Sequence, residues 1–169
     1  MSKIERIDYV LNPDFKINST ELIEQNTSMQ IELIKDRCLS IIFQLDKQLG
    51  ANYRGGIYPF FNSRNSGVCK VCDYIIFAES NNDIYSLIIE LKTGDKDTMP
   101  QLRAGECFVD FVIATVNRIY KTNYSINKRF VSIREFERKR KTKLRDIEYD
   151  ENNHHFFEQN KLRIYTFLK

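Results

Sequence analysis

The stretch Asp73-Tyr74-Ile75-Ile76-Phe77-Ala78-Glu79-Ser80-Asn81-Asn82-Asp83-Ile84-Tyr85-Ser86-Leu87-Ile88-Ile89-Glu90-Leu91-Lys92 decides the fold class of this chain. Its two halves, Asp73 to Ala78 and Tyr85 to Leu91, are rich in Ile, Phe and Tyr, and the polar run Ser80-Asn81-Asn82-Asp83 separates them. That pattern predicts two strands joined by a tight turn. Asn tolerates the left-handed conformation that a two-residue hairpin turn requires. With Asn81-Asn82 as the turn, Ser80 pairs with Asp83, and the same register sets Asp73 opposite Glu90. Residues opposed in an antiparallel pair share a face of the sheet. Lys92, two residues past Glu90, points to the same side.

Two carboxylates opposed in this way repel one another. A divalent cation offsets the repulsion, and two carboxylates with a backbone carbonyl suit magnesium or manganese. Lys92 is then placed to orient an attacking water and to stabilise charge developing on a phosphate. The plainer alternative makes Asp73 and Glu90 strand-end residues with Lys92 as their solvated ion-pair partner. Leu87-Ile88-Ile89 is apolar on both faces, as in a central strand, so the charges after it stand at the end of a core element.

Around this hairpin the pattern predicts helices. Ile31, Ile34, Cys38, Ile41, Ile42, Leu45 and Leu49 recur at helical spacing before Gly50, and a short helix is expected near Thr20 to Gln25. A second long helix is expected from Met99 to Tyr120, with Leu102, Phe108, Val109, Val112, Ile113, Val116 and Ile119 facing inward. Residues 51 to 70 are turn-rich and aromatic and read as an ordered loop or an irregular edge hairpin. Arg129 to Arg134 and Leu162 to Leu168 alternate as strands. The predicted order is helix, strand, strand, helix, strand, strand.

Asp73, sixteen residues, then Glu90-Leu91-Lys92 resembles the D-x(n)-E-x-K signature of the PD-(D/E)XK nuclease-like, or restriction-endonuclease-like, superfamily. The resemblance covers roughly residues 30 to 135. Cys72 stands where the family's proline would be. The resemblance implies an α/β (mixed α+β) fold, with a central mixed sheet around an antiparallel hairpin and flanking helices. It implies metal ligation by Asp73, Glu90 and the Leu91 carbonyl, and a catalytic role for Lys92. An acidic residue on the first helix completes the metal site in that family, which points to Glu32, with Asp36 second. Some branches carry a glutamine on the following helix, a position that Gln101 would fill.

The expected activity is metal-dependent hydrolysis of DNA phosphodiesters with Mg2+ or Mn2+, with RNA left open as substrate and phage defence or DNA processing as the setting. The alternative is a non-catalytic subunit of the same fold that binds nucleic acid or a partner protein. No target-recognition domain is evident in 169 residues read as one domain, so a homodimer or a partner protein is expected to help find the substrate.

Composition bounds the remainder. Net charge is +3, and 42% of residues are hydrophobic, enough for a core without staples. No apolar run approaches a membrane span or a signal peptide, so a cytoplasmic protein with reduced cysteines is expected. Cys38 and Cys107 read as buried helical residues, and the Cys69-Lys70-Val71-Cys72 pair as incidental, since a structural zinc site needs a second pair of ligands. His154-His155 reads as a surface turn, because neighbouring strand side chains point to opposite faces. Residues 121 to 145 hold ten Lys or Arg against two Glu. Arg138, Lys139, Arg140, Lys141 and Lys143 are the candidates for backbone contact with nucleic acid.

Overall fold

A computed structural model of the protein describes residues 1–24, 27–47, 61–94, 97–134 and 147–169. Helix α1 (Lys3–Val10) opens the chain, followed by strands β1 (Lys16–Ile17), β2 (Glu21–Ile23), β3 (Gln30–Ile34) and β4 (Leu39–Gln44). The hairpin strands are β5 (Tyr74–Ser80) and β6 (Asp83–Lys92). Helix α2 (Met99–Tyr120), β7 (Asn127–Arg134), β8 (His154–Phe157) and β9 (Lys161–Arg163) complete the elements.

Six strands form one mixed sheet in the order β1-β4-β5-β6-β7-β8, and β2-β3-β9 form a second. β4, β5 and β6 run antiparallel in turn, whereas β7 and β8 are parallel to β6. The parallel step from β6 to β7 is bridged by α2, since parallel neighbours need a long crossover. One face of the large sheet, with Ile75, Phe77, Ile88 and Phe130, packs on α1 and α2. The opposite face, with Ile76, Leu87, Ile89 and Val131, packs on the small sheet through Leu22, Ile31, Leu33 and Leu162. Helices, large sheet and small sheet make three layers, a mixed α+β architecture as expected.

The hairpin forms in the predicted register. Asn81 and Asn82 take φ of 51° and 67°, and Ser80 pairs with Asp83 as Tyr74 pairs with Ile89. Lys3 donates from its ammonium to the Asn82 carbonyl and side chain, tying α1 to the turn.

The long first helix is not formed. Residues 30–34 and 39–44 are strands β3 and β4, and Arg37 (φ 59°) turns the chain from the small sheet into the large one. The apolar positions there satisfy two periods at once. Ile31 and Leu33 alternate into the core of β3, and Ile42 and Phe43 fill opposite faces of β4. β-Branched isoleucines favour that extended choice, and sheet pairing settles it. Where a short helix is expected near Thr20 to Gln25, Glu21–Ile23 form strand β2 with only Leu22 buried, and Gln25 lies outside the described residues. The true N-terminal helix, α1, begins with a capping box in which Ser2 Oγ accepts from the Glu5 amide and Glu5 accepts from the Ser2 amide.

Helix α2 spans the predicted residues, but Ile119 is exposed and Phe108 only partly covered. The predicted final strand is shorter, and Ile164–Phe167 form a 3-10 turn that buries Ile164 and Phe167. Cys38 lies in the bend before β4, and Cys107 is exposed on α2, so neither is a buried helical residue. His154 and His155 belong to β8 rather than to a turn.

Gly105 sets how closely α2 approaches the sheet. A Cβ there would lie 2.6 Å from both Cys72 Sγ and Ile88 Cγ2. Gly105→Ala gains about 1 kcal/mol in helix propensity. It loses more from forced displacement in a close-packed layer, where overpacking costs roughly 1–3 kcal/mol. The expected net result is a lower denaturant midpoint with an unchanged slope, measured by urea unfolding.

Candidate functional site

Three strand ends converge at one edge of the large sheet. β5 begins at Tyr74, so Asp73 stands just before it, and the Leu45 amide past the end of β4 donates to the Asp73 carbonyl at 2.9 Å. Extending the β5–β6 ladder by one pair sets Asp73 beside Glu90. The Leu91 amide donates to Asp73 Oδ2 at 2.6 Å, which fixes that carboxyl against β6. Ile88 touches α2, so alternation carries Glu90 and Lys92 onto the helix-covered face.

Burial dominates the electrostatics of the pair. It pushes the Asp73 carboxyl up to about 7, against the pull of the Leu91 amide, with the charges of Asp46 and Glu24 adding to the rise. Glu90 is pushed up to about 8 by burial first and by the Asp73 charge second, with the Asp73 amide opposing and Asp46 and Glu24 contributing again. Oε2 of Glu90 and Oδ1 of Asp46 are buried without a hydrogen-bond partner. Burial, followed by the charges of Glu90 and Asp73, also raises the Cys72 thiol far above its ordinary range. A buried thiol held protonated is a poor nucleophile and a poor metal ligand.

Lys92 is only 7% exposed. Among the described residues its ammonium makes no ion pair with Asp73, Glu90 or any other acid, so it is not a solvated partner of the two carboxylates. A buried ammonium without a counter-charge is costly to a fold and marks a place where an anion is wanted.

Beside the acidic pair runs a buried polar row. Ser132 is the β7 neighbour of Glu90. Its hydroxyl is 2.6 Å from Thr98 Oγ1 and 2.8 Å from His154 Nε2. Thr98 is the N-cap of α2 yet makes no side-chain cap bond, because its hydroxyl is committed to Ser132. This tie holds the first turn of α2 over the ends of β6 and β7. His154 Nδ1 lies 3.8 Å from Asp150 Oδ2, too far for a hydrogen bond. Ser132 is fully buried, so the Ser-His-Asp grouping is a structural tie and not a nucleophilic triad.

The acidic candidates Glu32 and Asp36 fall elsewhere. Glu32 sits on β3 of the small sheet, not on a helix, and its carboxylate pairs with Lys161 at 2.7 Å. Asp36 pairs with Arg163 at 3.6 Å. The acids whose charge reaches Asp73 and Glu90 are Asp46 and Glu24. Reading residues 39 to 44 as a strand antiparallel to β5 would have disclosed Asp46, which follows Leu45 at the same edge. Gln101 lies in the first turn of α2 with Oε1 buried and unpartnered. Arg138, Lys139, Arg140, Lys141 and Lys143 lie outside the described residues, as do residues 51–60 of the aromatic loop.

No group of three or more His, Cys, Asp or Glu side chains poised to hold a metal ion occurs among the described residues. Two carboxylates, one with an orphaned buried oxygen, beside a strand-end carbonyl still match the donor chemistry of a hard divalent cation that keeps several waters.

Fold and site together define a three-layer mixed α+β protein with a half-buried pair of carboxyls and a buried lysine at the end of its central strands. Comparisons with protein-family models, with curated proteins and with solved structures give no match to this chain. No helix among the described residues is long and apolar enough to cross a membrane.

The raised carboxyls link stability to pH. Both groups hold their protons more tightly folded than unfolded. Their contribution is therefore full below about pH 4 and is lost as pH rises through about 7 and then 8. In chelator, the melting temperature is expected to fall between pH 6 and pH 9. Glu90→Gln removes the upper part of that fall and should melt about 2–4 °C above wild type at pH 9 by calorimetry.

Proposed function

We propose that the protein is a metal-dependent phosphodiesterase acting on nucleic acid, with DNA as the first substrate to test. The observation that carries this reading is the placing of Asp73 and Glu90 together, half-buried and hard to ionise, two residues from a buried Lys92 that forms no ion pair among the described residues. Burying two carboxyls and an ammonium at one strand end costs stability, and such costs are concentrated at functional sites.

Asp73, Glu90 and the Leu91 carbonyl would hold a magnesium or manganese ion. That ion would supply Lewis acidity toward a phosphate oxygen and acidify a bound water. Lys92 supplies a fixed positive charge for the phosphate oxygens as negative charge grows on them. Its burial strengthens that interaction, because little solvent screens it. Ser132, Thr98 and His154 keep α2 seated over these groups. The pair must shed its protons before it binds a cation, so cation affinity rises with pH.

A second reading, a nuclease-like subunit that docks on a partner, is favoured by one feature. Phe111 on α2 is 70% exposed and borders a cavity of about 520 Å3 lined by Phe61, Val68, Cys107 and Phe108. Exposed apolar surface of that kind is common at protein interfaces.

Plasmid and single-stranded DNA incubated with Mg2+ or Mn2+ separate the two readings. Cleavage by wild type that falls ~100-fold or more in Asp73→Ala, Glu90→Ala and Lys92→Met is the expected result. Cleavage that persists in Glu90→Ala removes the dicarboxylate from the mechanism. No cleavage by folded wild type at pH 8.5 favours the docking subunit.

A further inference from the structure

The end of β7 carries a second cation that the proposed chemistry has not used. Arg134 is the β7 partner of Lys92 across the parallel ladder, so the two residues are immediate neighbours, with strand axes about 4.8 Å apart. Phe130, which packs with α2 residues, and Ser132, which bonds Thr98, share the face that alternation assigns to Arg134. Both positive residues thus stand on the face that holds Glu90. They occupy the carboxyl ends of two parallel strands, the usual place for ligands in sheets of this kind.

Among the described residues neither Lys92 nor Arg134 forms an ion pair, and the Arg134 Nε is buried without a hydrogen-bond partner. The guanidinium lies over the Phe156 ring, 4.3 Å from its centroid. Phe156 is itself wedged edge-on against the buried His154 ring at 4.4 Å. His154 is held by Ser132, and Ser132 by Thr98. Arg134 is therefore a planar donor fork laid on a ring that three buried residues support. Stacking of this kind orients a guanidinium and leaves its edge N–H groups free. The charges around it are mixed: Asp97 and Asp150 act electrostatically on His154 together with Arg134, yet neither acid bonds the guanidinium.

Two adjacent cations, one buried and one stacked over Phe156, suit an anion with oxygens in two directions. We propose that Lys92 and Arg134 together form the phosphate-binding site of this protein. Lys92 contacts the phosphate beside the carboxylate pair as a point charge, and Arg134 grips a phosphodiester by two parallel N–H bonds. The nucleic-acid identity of the anion rests on the phosphodiesterase reading, whereas the anion site itself rests on the geometry of β6, β7 and Phe156. Arg134 is on this account a substrate-contact residue, and Phe156 its positioning residue.

Binding of fluorescent single- and double-stranded oligonucleotides, measured by anisotropy in EDTA across a salt series, tests the site without relying on cleavage. Arg134→Ala and Arg134→Gln should each weaken binding ~10-fold and reduce the slope of log affinity against log salt by about 1. Arg134→Lys should restore the slope but not the affinity, because it keeps the charge and loses the fork. Phe156→Leu, which retains apolar bulk, should weaken binding with the slope unchanged. Wild type that binds but never cuts, with Arg134→Gln binding impaired, upholds the anion site and sinks the phosphodiesterase reading. Unchanged affinity and slope in folded Arg134→Gln overturn the site, as does the absence of oligonucleotide binding by wild type.

Discussion

The pairing of β5 with β6 is the constraint on which the rest of the molecule depends. Once Asn81 and Asn82 take the left-handed turn, the sum of paired residue numbers is set, and a slip of one residue would send every isoleucine of the hairpin to the wrong layer. Both faces of these strands are buried, one under the helices and the other under the small sheet. The same register that fills two cores sets Asp73 against β6, where the Leu91 amide holds it. Packing of the hairpin interior thereby enforces the encounter of two carboxyl groups at its open end.

That encounter is unfavourable by itself. Burial keeps protons on Asp73 and Glu90 well past their ordinary range, the Asp73 charge adds to the rise at Glu90, and Asp46 and Glu24 deepen the effect at both. Beside Glu90 on the same face, Lys92 and Arg134 carry positive charge that no described acid offsets. Opposite charges thus stand close together without neutralising each other, an arrangement suited to a ligand that brings both a cation and an anionic ester. The buried Thr98–Ser132–His154 row gives this edge its rigidity. It costs α2 the hydroxyl bond that an N-cap threonine usually makes to its own helix.

The site was more legible in the sequence than the surrounding fold. Asp73, Glu90 and Lys92 lie within one hairpin, where turn chemistry and period-two alternation are local signals that need no knowledge of distant residues. The first helix failed because residues 31 to 45 satisfy a helical and an extended period equally well, and the decision belonged to β5, which offers β4 a partner. A helix over that segment would offer Glu32 as a further acid, but in the strand Glu32 faces Lys161 in the small sheet. The opposite omission occurred at the N-terminus. Ser2 and Glu5 form a capping box that is visible in the sequence, yet helix α1 was not among the expected elements.

The sequence by itself determined the hairpin, its register, the span of α2 and the meeting of Asp73 with Glu90, because each follows from neighbours within about twenty residues. Tertiary structure alone decided which face of the hairpin the site occupies, since either alternating set of residues is apolar enough to be inside. It also decided that Asp46 approaches the pair, that Lys92 is buried with no ion pair among the described residues, and that Arg134 stands beside Lys92 on a ring braced by His154. Those relations join residues from β4, β6, β7 and β8. No local periodicity records the order of strands in a sheet, and that order sets which charges become neighbours.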